Sequence, residues 1–248
     1  MDPTTPTCEW IRGLPRDYRA AEPALARLEH FHLGGRGLLE QAFAAIEPPP
    51  GDCLELACGV GGVGRFLLSR FAQVRSVQGG DIDPRTLAIA NALNRHFELP
   101  YPVGLSDARE LRSVSADWVL VSHLLPFVGL EFLPQLARAA AKKPVLLIEP
   151  VRLGCFAYPQ IWADDASVDR LVEPSALRAR LHQAGFRVQH MVDLGHALAA
   201  PVFYHALAGV PSLAEVAGLT DFARRARNGR DAVAAGQLSV VAVLACAD

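Results

Sequence analysis

The chain has 248 residues, 51% hydrophobic and 20% charged, with a formal net charge of −2. That is room for one large soluble α/β domain with a sizeable core, and the weak negative balance argues against a broad nucleic-acid-binding face. No apolar run is long enough to span a membrane and no basic-then-apolar leader is visible. The five cysteines (Cys8, Cys53, Cys58, Cys155, Cys246) include no C-x-x-C pair and no zinc spacing. They read as free thiols in a reducing compartment, and a cytoplasmic enzyme is the expectation.

In chain order, residues 1–20 read as a loose arm. Leu25, Leu28 and Phe31 at helical spacing predict a helix over 21–32, broken by Gly34-Gly35. Leu38, Leu39, Ala42, Phe43 and Ile46 predict a second helix, stopped by Pro48-Pro49-Pro50-Gly51. With no strand signal, residues 1–50 read as a helical lid. An apolar run over 53–57 predicts a buried strand. The glycine-rich turn 59–64 follows, and Phe66, Leu67 and Phe71 predict a helix over 65–71. Further strands are predicted over 74–79, 100–105, 117–122, 144–148, 186–194 and 237–246. Helices are predicted from Pro84 to about Phe97, over 130–141 and over 174–184, with Asp83 as N-cap and Pro84 at the first turn. Strands alternating with helices imply a doubly wound, Rossmann-like parallel sheet, with ligands bound beyond the carboxyl ends of the strands. The division is a lid over 1–50, a core over 51–194, a helical insertion over 195–236 and a last core strand over 237–248.

The stretch 51–71 organises the rest. Glycine in a strand-to-helix turn can take positive φ and carries no Cβ to hold a ligand off the backbone. The first amides of the next helix then suit a nucleotide or a carboxylate. Gly59, Gly61 and Gly64 satisfy G-x-G-x-x-G, a pattern shared by dinucleotide-binding enzymes and weak by itself.

The spacing Glu55-x-Ala57-Cys58-Gly59-x-Gly61 resembles motif I of the class I S-adenosylmethionine (SAM)-dependent methyltransferases, with Ala57 where many members have glycine. The resemblance covers 51–150 well and the tail from 174 loosely. It implies a seven-stranded sheet with the last strand antiparallel, SAM as cofactor, and methyl transfer to a small-molecule acceptor. It places Glu55, Ala57, Gly59 and Gly61 at the methionine end. Gly80-Asp81-Ile82-Asp83-Pro84 resembles motif II, which implies Asp81 on the ribose hydroxyls with Ile82 beside it. Ser106-Asp107-Ala108 stands where the family places an acid on the adenine amine and the next amide toward a ring nitrogen. Ser122, at the end of the fourth strand, is expected on the cofactor, and His123 just after it stands on the acceptor side. Histidine can take a proton near neutral pH, so His123 is the candidate base ahead of His30, His32, His196 and His205.

No metal is expected. Catechol-type metal chemistry would want a carboxylate where Ser122-His123 stands and an Asp-Asn pair where Glu149-Pro150 stands. The Asn-Pro-Pro-Tyr-like tetrapeptide of amino-directed DNA and protein methyltransferases is replaced by Ser122-His123-Leu124-Leu125. Two alternatives stay open. One is an NAD(P)-dependent oxidoreductase on the same glycines, although Lys142 and Lys143 are the only lysines and no Tyr-x-x-x-Lys pair exists. The other is a SAM-binding partner protein without catalysis. Segments 151–173, with Phe156, Tyr158 and Trp162, and 195–236, with His196, Tyr204, His205 and the cluster Arg224, Arg225, Arg227 and Arg230, exceed what the sheet needs. The first would suit a flat or partly apolar acceptor. The second is a substrate cap or the dimerisation element of a homodimer.

Overall fold

The computed structural model describes residues 9–29, 33–198, 211, 212, 215, 216, 218 and 221–247. Cys8, His30, Phe31, His32, Tyr204 and His205 lie outside them. Seven strands form one sheet in the order β3-β2-β1-β4-β5-β7-β6. They are β1 Gly51–Leu56, β2 Val74–Asp81, β3 Val103–Leu105, β4 Trp118–Ser122, β5 Pro144–Arg152, β6 Phe186–Asp193 and β7 Leu238–Ala247. The pairs β1–β2, β1–β4, β2–β3 and β4–β5 are parallel, whereas β7 runs antiparallel between β5 and β6. The fold class expected from the sequence, including the antiparallel last strand, is the fold observed.

The central strands are apolar on both faces because helices cover both. Trp118 and Leu120 point into one layer with Leu38, Phe43, Phe66 and Leu67, while Val119 and Val121 point into the other with Leu133, Leu136 and Leu177. The first layer is built by α2 Gly35–Ala45 and α3 Gly62–Arg70. A third cluster joins α1 Tyr18–Glu29 to α4 Pro84–His96 through Leu25, Leu28, Ile89 and Leu93, and includes Val60 of the glycine turn. No described helix is long and apolar enough to cross a membrane.

Several boundaries differ from the sequence reading for identifiable reasons. α1 begins at Tyr18 because Asp17 caps it, its Oδ1 accepting the Ala20 amide at 2.9 Å. α3 begins at Gly62, since Gly61 at φ +84° is already its N-cap. A short helix, α5 Leu125–Val128, precedes α6 Leu133–Ala140 and was not anticipated. β5 continues through Pro150 to Arg152, although Glu149-Pro150 was expected to end it. Beyond Ile148 it pairs with β7 alone. The Ile148 carbonyl accepts from His123 and the Arg152 amide donates to Val172 at 2.9 Å, so residues 148, 150 and 152 face away from β7. The missing N–H of Pro150 therefore falls where no ladder bond is required.

Candidate active site

The turn after β1 is held from three sides. The Cys58 amide donates to the Gly80 carbonyl at 3.0 Å, and the Gly61 amide donates to the Cys58 carbonyl at 2.8 Å. The Gly59 amide donates to Asp81 Oδ2 at 2.7 Å, while Asp81 Oδ1 accepts the Asp83 amide at 2.9 Å. Asp81 thus fixes the turn as well as lining the cavity beside it.

The glycines serve different ends. A Cβ on Gly59 would meet nothing within 4 Å, because that position opens into the cavity. Gly61 adopts φ +84°, and its Cβ would lie 3.0 Å from both Arg65 Nη1 and the Tyr101 ring. It faces the interior and, unlike the other nominated residues, does not line the cavity. A Cβ on Gly64 would come within 2.5 Å of Tyr101 and 2.7 Å of Glu55 Oε2, and one on Gly62 within 2.5 Å of the Glu29 carbonyl oxygen. The last two glycines therefore admit Tyr101 and α1 against the turn. Ala57 sits at φ +53°, a left-handed conformation that costs a non-glycine residue about 1 to 2 kcal/mol.

A buried polar chain links the first helix to the first strand. The Tyr18 hydroxyl donates to Glu29 Oε2 at 2.7 Å. Arg65, fully buried, donates from Nε to Glu29 Oε1 at 2.8 Å, from Nη1 to Asn94 Oδ1 at 2.6 Å, and from Nη2 to the Val60 carbonyl. Asn94 Nδ2 donates to the Tyr101 carbonyl at 2.6 Å, and the Tyr101 hydroxyl donates to Glu55. Burial pushes the Glu55 carboxyl up to about 7, against the Tyr101 hydrogen bond and the nearby Arg65 guanidinium, which both favour the ionised form.

Beyond the carboxyl ends of β1–β4 lies a cavity of about 550 Å³, within the usual range for small-ligand sites. Of the residues singled out in the sequence, Glu55, Ala57, Gly59, Asp81, Ile82, Asp107, Ala108, Ser122 and His123 all line it. Ile82 and Phe127, large apolar side chains, are 62% and 57% exposed at its edge, an arrangement that favours covering them with a ligand. Asp107 caps the Arg109 amide at 2.9 Å, and its carboxylate takes the Arg109 guanidinium at 2.7 and 3.0 Å. Those contacts hold it below the usual carboxylate range.

On the β4 side, His123 takes φ +54°, donates its amide to the Ile148 carbonyl at 3.0 Å, and has Nδ1 3.2 Å from Ser122 Oγ. Burial lowers its imidazole to about 4, so the ring is neutral at physiological pH. The loop that carries it is pinned by Glu149. This buried carboxyl accepts the Leu124 amide at 3.0 Å and the Leu125 amide at 3.2 Å, and burial raises it well above the ordinary range. Sequence reasoning missed Arg65, Tyr101 and Glu149. Arg65 and Glu149 each interrupt an apolar run, and that was the available signal. Tyr101 gave none.

No family model and no curated protein sequence matches the chain. Solved structures do. A putative sarcosine dimethylglycine methyltransferase from Galdieria sulphuraria is 17% identical with a TM-score of 0.59, over 84% of this chain and 81% of that one. Geranyl diphosphate C-methyltransferase from Streptomyces coelicolor is 11% identical with a TM-score of 0.60, over 85% and 77%. The cyclase SpnF is 17% identical with a TM-score of 0.58, over 85% and 79%. The fold is therefore that of class I methyltransferases. At these identities the likeness is one of architecture.

Proposed function

We propose that this chain is a SAM-dependent methyltransferase that transfers a methyl group to the oxygen, nitrogen or carbon of a small-molecule acceptor. The observation that carries the reading is the convergence of Glu55, the Gly59 turn, Asp81 and Asp107 on one cavity at the carboxyl ends of β1, β2 and β3. The groups present fit the cofactor. Gly59 leaves backbone open to a ligand, Asp81 offers a carboxylate for vicinal hydroxyls, and exposed Ile82 offers an apolar surface for a purine. Asp107 and the Ala108 amide would take the adenine edge, with Arg109 moving aside or sharing the carboxylate. Glu55, Ala57 and Gly59 would flank the methionine end, and Gly61 would act through the shape of the turn.

When bound, SAM supplies an electrophilic methyl on a sulfonium. The protein's part is to hold the acceptor in line and at near contact, which is worth several kcal/mol by orientation alone. For an acceptor that must lose a proton, neutral His123 beside Ser122 is the group placed to receive it.

Residues 1–50 serve as the lid on this site, supported by the approach of Glu29 to Gly62 and its ion pair with Arg65 at 2.7 Å. The near-neutral charge supports a small-molecule acceptor over nucleic acid. The free thiols of Cys53, Cys58, Cys155 and Cys246 support a cytoplasmic location. A dinucleotide reading is weakened because β7 is antiparallel in a sheet that dinucleotide enzymes build mostly parallel. Fold does not fix chemistry, and the similar structures include a cyclase.

Calorimetric titration with S-adenosylhomocysteine (SAH), NAD and NADP tests the proposal. Micromolar binding of SAH and none of the dinucleotides is expected; the reverse would overturn it.

A further inference from the structure

The segment between β5 and α7 Pro174–Gln183 is organised by one carboxylate. The Asp169 side chain is fully buried and accepts from Arg152 Nη2 at 2.6 Å, the Tyr158 hydroxyl at 2.5 Å, Trp162 Nε1 at 3.2 Å and the Leu171 amide at 2.9 Å. The other side of the loop is clamped by the Phe222–Ala234 helix. Arg225 Nη1 donates to the Gln160 carbonyl at 2.5 Å, Arg225 Nη2 pairs with Asp164, and Asn228 Nδ2 donates to the Pro159 carbonyl at 2.9 Å. Two segments far apart in sequence thus brace one short stretch, and the residues of that stretch that reach the cavity are Ile161 and Trp162.

What this wall presents is apolar. The indole N–H of Trp162 is engaged by Asp169, which leaves the ring itself to the cavity. Leu33, Pro126 and Phe127 share the lining. The acids that also line the cavity are committed elsewhere: Glu29 to Arg65, Glu55 to Tyr101, Asp83 to Arg85 and Asp107 to Arg109, while Asp81 holds the Gly59 turn. Among the described lining residues the cation is Arg109, already paired. On the β4 side the polar lining residues are Ser122 and His123. An anionic acceptor would leave water here facing a lining cation that is already paired, a costly transfer, whereas a flat uncharged one would gain by stacking on an indole of fixed orientation.

We infer that Trp162 contacts the acceptor, that Asp169 positions its ring, and that the acceptor carries no negative charge and presents a flat apolar face with a hydroxyl toward Ser122 and His123. The term acceptor rests on the methyltransferase reading; the ligand chemistry rests on the wall.

The test uses 2-naphthol as probe and 2-naphthoate as its charged counterpart. Each is titrated by calorimetry into the full chain, with and without saturating SAH. Wild type should bind 2-naphthol and bind 2-naphthoate at least about tenfold more weakly, a difference of about 1.4 kcal/mol. Trp162→Ala should weaken 2-naphthol binding about tenfold or more, and Trp162→Phe should restore most of it, with SAH affinity unchanged in both. Asp169→Asn should weaken 2-naphthol binding like Trp162→Ala and shift tryptophan emission to the red, again with SAH affinity kept. Wild-type affinity for 2-naphthol in Trp162→Ala would overturn the inference. So would equal binding of naphthol and naphthoate, or no naphthol binding by the wild type under either condition. A protein that binds 2-naphthol through Trp162 but does not bind SAH would instead overturn the cofactor reading and leave this one standing.

Discussion

Glu55→Gln removes a carboxyl that folding carries out of water, and its effect should depend on pH in a set direction. Burial raises the group from 4.5 to about 7. The folded protein therefore holds the proton more tightly than the unfolded chain does. A group of this kind contributes its full stability below pH 4.5 and loses that contribution as pH rises to about 7, after which the curve is flat. At roughly 1.4 kcal/mol per pH unit the whole loss is about 3 kcal/mol. Other titrating groups, His123 and Glu149 among them, are common to both proteins, so the wild-type minus variant difference isolates Glu55. Glutamine keeps an acceptor for the Tyr101 hydroxyl, which limits side effects. The assay is urea unfolding of both proteins at half-unit steps from pH 4 to pH 8, with stability extrapolated to water. The difference should fall by about 3 kcal/mol in favour of the variant across that range. A difference constant to within about 1 kcal/mol would refute the claim that burial of this carboxyl outweighs the Tyr101 hydrogen bond and the nearby Arg65 guanidinium.

Asp81→Ala should weaken SAH binding more than about tenfold by calorimetry, because it removes a charge-assisted ribose contact and frees the Gly59 amide; unchanged affinity would remove the cofactor pose. Arg65→Met should lower unfolding free energy by about 3 to 5 kcal/mol in urea, since it leaves Glu29 buried without its guanidinium; a loss under about 1 kcal/mol would mean the pair is not desolvated. Ala57→Gly should be neutral to stabilising by up to about 1 kcal/mol as the left-handed residue relaxes, whereas Gly61→Ala should cost about 2 kcal/mol or more, both read by thermal unfolding. His123→Ala should lower turnover while SAH affinity stays at the wild-type value; full activity across pH would show that orientation alone suffices.

Much of the architecture was legible because its signals are local. The periodicity of β1, β4 and β7, the Asp83-Pro84 cap and the proline stops depend on near neighbours, so the seven strands and most helices could be placed from the chain alone. The acids Glu55, Asp81 and Asp107 were nominated through the resemblance of their local strings to family motifs, and Asp107 read alone is a turn aspartate. The failures have long-range causes. β5 ran past Pro150 because β7, almost a hundred residues later, supplies its partner while β4 has already ended. Glu149 read as a strand terminus, yet its carboxyl turns back to hold the amides of Leu124 and Leu125.

The sequence by itself determined that a glycine turn flanked by acids stands at the carboxyl edge of a parallel sheet, because strand alternation and turn chemistry are properties of adjacent residues. Only the tertiary structure decided which glycine faces the cavity, that Gly61 faces Arg65 and Tyr101 instead, and that Glu55 is hydrogen-bonded and raised toward neutrality. It also decided that Asp169 and Arg225, from the two segments the sheet does not need, brace the loop that carries Trp162. These depend on which side chains meet across tens of residues, and on the loss of water that follows, neither of which local pattern encodes.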